Sequence, residues 1–142
     1  MGQQQLLLLV LGIVIVGLAV VVGIRAFEEN SDKANQDAIV SDGIRIVNNA
    51  QAWGLKPAPY GGGAGSFTNL TFGQINYDTG TNSYYENSSG RFGLVVTAGT
   101  PGSFVLTACN DESGNKTTFT VTGFDESDIA TDTEASTATC PS

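Results

Sequence analysis

The chain contains no histidine, only two cysteines, and six basic residues against fourteen acidic ones. Without histidine, Ser-His-Asp and Cys-His catalysis and the commonest zinc sites are excluded. Cys109 and Cys140 form no Cys-x-x-Cys pair, so c-type haem attachment, and conduction through bound haems, is excluded as well. The formal charge is −8, and seven of the fourteen acids (Asp111, Glu112, Asp125, Glu126, Asp128, Asp132, Glu134) follow Cys109, with Lys116 as the one base there. A duplex-binding surface needs clustered Lys or Arg, so no direct nucleic-acid site is expected. The acidic field keeps an exposed surface soluble. Proline is missing before Pro57, so no residue of the first 56 forbids a helix.

What is abundant comes first in the chain. Leu6 to Ile24 is nineteen residues without a charge or strongly polar group, close to the length that spans a hydrocarbon core. A cleaved secretory signal has a basic start and a shorter apolar stretch, whereas Met1 to Gln5 carries no Lys or Arg. The segment is therefore an uncharged anchor or the new end left after a basic leader is removed. Beyond it Arg25, Glu28, Glu29, Asp32 and Lys33 make the next turns soluble, while Ala34, Ala38, Ile39, Ile46, Ala50 and Trp53 recur at helical spacings. One continuous helix from about Gln3 to about Ala52, on the order of 75 Å long, is expected. Trp53-Gly54 and Pro57 end it. Only part of such a helix can be covered by the roughly 90 residues that follow, and the rest must find lipid or copies of itself. Gly12, Gly17 and Gly23 each weaken the helix by about 1 kcal/mol relative to Ala, and they either let neighbouring backbones approach or simply reflect how frequent Gly is in membrane helices.

The stretch 54–66 is a Gly/Pro-rich loop, either a simple connector or a surface with Leu55 and Tyr60 as apolar contacts. Apolar and β-branched runs at 67–77, 82–86, 91–98, 103–109 and 116–124 read as four to five antiparallel strands. Short turn sequences at 78–80, 88–90, 99–102 and 112–115 favour hairpins over crossovers. The alternations Phe104, Leu106, Ala108 and Phe119, Val121, Gly123 mark one buried face for the amphipathic part of the helix to cover. The fold class is α+β, divided into an apolar half-helix at 1–24, an amphipathic half at 25–53, the loop, a sheet headpiece at 67–124 and an acidic tail at 125–142.

The opening MGQQQLLLLVLGIVIVG, the uninterrupted run to AQAW and the single cysteine pair near the C-terminus resemble the type IV pilins and pilin-like filament subunits. The resemblance covers the whole chain. It implies removal of a basic leader by a prepilin peptidase, N-methylation of the new amino terminus at Met1, residence in the inner membrane, and then helical assembly of identical subunits by a pilus machinery. In that family a glutamate near the amino terminus is thought to pair with a neighbour's terminus, and here Gln5 stands in its place if Met1 is the processed residue. Gln5 accepts a hydrogen bond but cannot neutralise an ammonium, so a registering contact would be weaker than an ion pair. Cleavage before Gly2 would put Leu6 there instead. Leu6, Leu9, Val10, Ile13, Val16 and Val20 would pack the filament core, and Gly12 and Gly17 are the candidates for the local unwinding such filaments often show, buried by protein because lipid cannot satisfy an open backbone. A Cys109–Cys140 disulfide would tether the tail, stabilising by about 3 to 4 kcal/mol, the alternative being two free thiols. The implied role is a non-enzymatic major pilin of an extracellular filament, with no cofactor, serving adhesion, motility or DNA uptake. A secretion-system pseudopilin and a single-pass anchored binding module are the alternatives.

Other constellations are weak. The carboxylates from Asp125 to Glu134 match no calcium-loop spacing, and Gly61 to Gly65 is followed by no Gly-Lys-Ser/Thr. Asp78 and Glu86 flank a hairpin, which favours surface charge over an acid/base pair. Asn69, Asn87 and Asn115 head triplets that fit the N-glycosylation acceptor pattern.

Overall fold

A computed structural model describes residues 2–111, 113–135 and 140–142. The element order is a helix α1 (Gly2–Leu55), then strands β1 (Tyr84–Glu86), β2 (Arg91–Thr97), β3 (Ser103–Cys109), β4 (Asn115–Val121) and β5 (Ile129–Ala135), with short 3₁₀ turns at Ala58–Tyr60, Phe72–Ile75 and Glu126–Asp128. This is the α+β architecture of one long helix and an antiparallel sheet. The chain divides into two compact units, Met1–Ala34 and Asn35–Ser142.

In the first unit α1 is helical through Gly12, Gly17 and Gly23, and every described residue is exposed. In the second unit, Ile39, Gly43, Ile46, Val47, Ala50 and Trp53 are buried, the 3–4 spacing of one helix face. Ala34 and Ala38 are exposed, so of the positions expected from spacing the buried face holds Ile39, Ile46, Ala50 and Trp53 and lacks the two alanines.

The sheet is a meander in sequence order, every neighbour antiparallel. Alternation sends Phe92, Phe104, Leu106, Ala108, Phe119 and Val121 to the face that α1 covers, where they join the helix residues in one core. Helix and sheet meet closely. A Cβ on Gly43 would run into the Phe119 ring, and Gln51 Nε2 donates to Gly123 O at 3.1 Å.

Two expectations fail. The 67–77 run is not a strand: Asn69 and Asn76 have φ of 70° and 62°, and a 3₁₀ turn occupies Phe72–Ile75. Phe67, Leu70, Phe72 and Ile75 are all buried, a set that no single alternation places on one side. The tail at 125–142 in turn supplies β5, which pairs with β4 along its length, from Val121↔Ile129 to Asn115↔Ala135.

The Gly-rich loop folds back on the end of α1. Gly63, Gly65 and Ala64 N–H groups donate to Trp53 O, Gly54 O and Lys56 O, at 2.9, 2.7 and 3.0 Å. Carbonyls that a helix end leaves without partners are thereby satisfied. Glycine is required at Gly63, where a Cβ would overlap Ser66 O. The loop is thus seated on its own helix, with Leu55 and Tyr60 exposed.

Candidate functional site

The most unusual surface belongs to the first unit. Fifteen large apolar side chains between Leu6 and Ile24 are each 49% to 70% exposed. Fully burying one such side chain is worth about 1.5 to 3 kcal/mol, so the part still exposed on the set represents on the order of 20 kcal/mol of unrealised burial. That exceeds the net stability of a typical domain, about 5 to 15 kcal/mol. Helical geometry spreads these side chains around the axis, leaving no polar face to turn to water, and the helix is long and apolar enough to cross a membrane. Leu6, Leu9, Val10, Ile13, Val16 and Val20 all lie on this surface. Gln5 is exposed on the preceding turn, and a Cβ at Gly12 or Gly17 would meet nothing within 4 Å. Met1 lies outside the described residues.

In the second unit the cysteines are joined, Cys109 to Cys140, with Cα atoms 5.5 Å apart. The link draws the last residues over the sheet face opposite α1: a Cβ on Gly93 would strike Pro141, and Ser83 Oγ donates to Ser142 O at 3.1 Å. Among the described residues the one grouping of His, Cys, Asp or Glu close enough to share an ion is Cys109, Asp111 and Cys140. Its sulfurs are bonded to each other, and Asp111 takes Arg91 Nη1 at 3.1 Å.

A polar clamp with no signature in the sequence joins helix to sheet. Asp42 Oδ2 accepts from Asn87 Nδ2 at 2.9 Å and from Ser89 Oγ at 2.7 Å, while Oδ1 lies 3.3 Å from Arg45. Asn87 Oδ1 in turn accepts the Ser89 and Gly90 N–H groups, closing the β1–β2 turn. Asn87 and Ser89 lie 45 and 47 positions from Asp42, so no local pattern announces it.

An open groove of about 740 Å³ runs beside the clamp, lined among others by Arg45, Trp53, Lys56, Ile75, Tyr77 and Tyr85. Trp53 Nε1 donates to Gly61 O at 2.9 Å and Asn49 Nδ2 to Tyr77 Oη at 2.9 Å, so part of its polar lining is already engaged. No Ser, Thr or Cys lines it. The pair Asp78 and Glu86 is dispersed into structural roles: Asp78 Oδ1 accepts Gly80 N–H at 2.8 Å, and Glu86 lies 3.6 Å from Arg91. Asp128 Oδ2 accepts Asp125 N–H at 3.2 Å within the β4–β5 turn.

The acceptor triplets differ in setting. Asn69 is exposed, Asn87 is half-buried in the clamp, and Asn115 is buried. No family model, curated protein or solved structure matches the chain. Function must therefore be read from the chain's own surfaces.

Proposed function

We propose that the chain is a structural, non-enzymatic subunit, a major pilin, of an extracellular type IV pilus-like filament, held in the membrane by its apolar half-helix before assembly and by sister helices afterwards. The observation that carries this reading is the unburied apolar surface from Leu6 to Ile24 on the same helix whose residues from Ile39 onward seat a folded head. Lipid removes that surface from water while the subunit is single. A bundle of identical helices removes it as well, with Gly12, Gly17 and Gly23 as the places where backbones come closest. The disulfide supports an oxidising, extracellular setting for the head.

Shear fractions of producing cells, viewed by electron microscopy, test the proposal. Filaments with α1 at their centre are expected. Gly12→Leu and Val16→Phe keep the helix apolar enough for membrane insertion but overpack a bundle, so both should cut filament yield while the head stays folded. Membrane-bound, active single subunits with both substitutions tolerated would establish an anchored binding module instead. Short, cell-envelope-confined assemblies would establish a pseudopilin.

A further inference from the structure

The fold treats the three acceptor triplets unequally. N-linked transfer needs two groups within reach of one transferase: the Asn amide and the hydroxyl two residues on. At Asn115 both are enclosed, since Asn115 is 8% exposed and Thr117 1%. At Asn87 both are held by a single carboxylate, because Nδ2 and the Ser89 hydroxyl each donate to Asp42 Oδ2. At Asn69 both are open. Asn69 and Thr71 are exposed, and among the described residues the Asn69 side chain makes no hydrogen bond. Leu70 between them is buried, which anchors the triplet by its middle residue and leaves its ends outward. The backbone adds to this, since Asn69 sits in the left-handed region that Asn tolerates better than most residues. It also borders an open hollow of about 370 Å³ shared with Ser66, Thr68 and Gln74, which leaves room for a first sugar.

We propose that Asn69 is the one N-glycan acceptor among the three in the folded protein, the donor being an oligosaccharide carried on a lipid pyrophosphate. In the transfer the Asn69 Nδ2 forms a bond to C1 of the first sugar. The bond from C1 to the pyrophosphate oxygen breaks, the lipid pyrophosphate leaves with the electron pair, and the proton lost from Nδ2 goes to a base of the transferase. The assignment rests on the head alone and is independent of filament assembly.

The test uses the full, oxidised chain in detergent micelles, a lipid-linked oligosaccharide, and a transferase chosen because it modifies all three triplets in the reduced, unfolded chain. Glycopeptide mass spectrometry should find sugar on Asn69 at least about ten times faster than on Asn87 or Asn115, because the latter two must first open locally. Thr71→Ala, which leaves the left-handed Asn in place, should abolish that product. Asp42→Ala should add a second product at Asn87 while near-UV circular dichroism shows the head still folded. A folded chain labelled as fast at Asn87 or Asn115, a folded chain with Asn69 bare, or an Asp42→Ala chain with Asn87 as slow as before would each overturn the assignment.

Discussion

Replacing Gly43 by alanine sets two opposing effects against each other, and the contact with Phe119 decides between them. In a helix interior Gly→Ala is worth about 1 kcal/mol in favour of folding. Here the added methyl would overlap the ring edge of Phe119, a side chain that is fully buried between neighbouring strands and has little room to turn. Overpacking of this kind costs about 1 to 3 kcal/mol. The net expectation is a loss on the order of 1 kcal/mol, read as a fall of roughly 4 to 8 °C per kcal/mol in the melting temperature of the head. The assay is thermal and urea unfolding of the full chain in micelles, followed by Trp53 fluorescence, since Trp53 is buried at the helix end. Phe119→Leu makes the argument specific. It should destabilise alone, yet the double variant should be less damaged than the sum of the singles, with a coupling of about 1 kcal/mol or more. A gain in stability from Gly43→Ala alone, or strict additivity with Phe119→Leu, would refute the close seating of helix on sheet.

Cys109→Ser with Cys140→Ser, or reduction of the wild type, removes the constraint on a separation of 31 residues and should cost the head about 3 to 4 kcal/mol in urea unfolding. A loss below about 1 kcal/mol would mean that β5 and the last residues hold without it. Asp42→Ala strips acceptors from Asn87 and Ser89 and should cost about 1 to 3 kcal/mol, whereas Arg45→Ala, which touches only the exposed side of that ion pair, should cost well under about 1 kcal/mol; equal losses from the two would remove the clamp from the account. Trp53→Phe should cost about 1 kcal/mol, by loss of the indole bond to Gly61 O, and should raise hydrogen exchange at Gly63 and Gly65 as the loop loosens.

Much of the architecture was legible because its signals are local. The uninterrupted helix follows from the missing prolines and the apolar run, and β3 and β4 follow from alternation bounded by turn residues. The 67–77 segment misled because its aromatic and β-branched content fits a strand, while its buried residues shift phase between Leu70 and Ile75 to suit left-handed turns at Asn69 and Asn76. β5 was hidden for the opposite reason. Asp132 and Glu134 interrupt its apolar pattern, yet in register they face Thr118 and Lys116 on the outer side, and Ile129 meets Val121 on the inner one. The Asp42 clamp joins residues too far apart in the chain for any spacing rule to find, and the exposure of each acceptor triplet is likewise a product of tertiary packing. Membrane-scale apolarity needed no such information, being a property of consecutive residues.

The plain sequential order of the sheet has a consequence for how the protein is made. Each strand finds its partner in the strand emerging just before it, so pairing can advance in step with delivery and never waits for a distant segment. A head built this way acquires shape strand by strand and exposes few unpaired edges while it forms. Only the final strand, the acidic β5, completes the row, and its charges keep the newest edge from sticking to a neighbouring nascent chain.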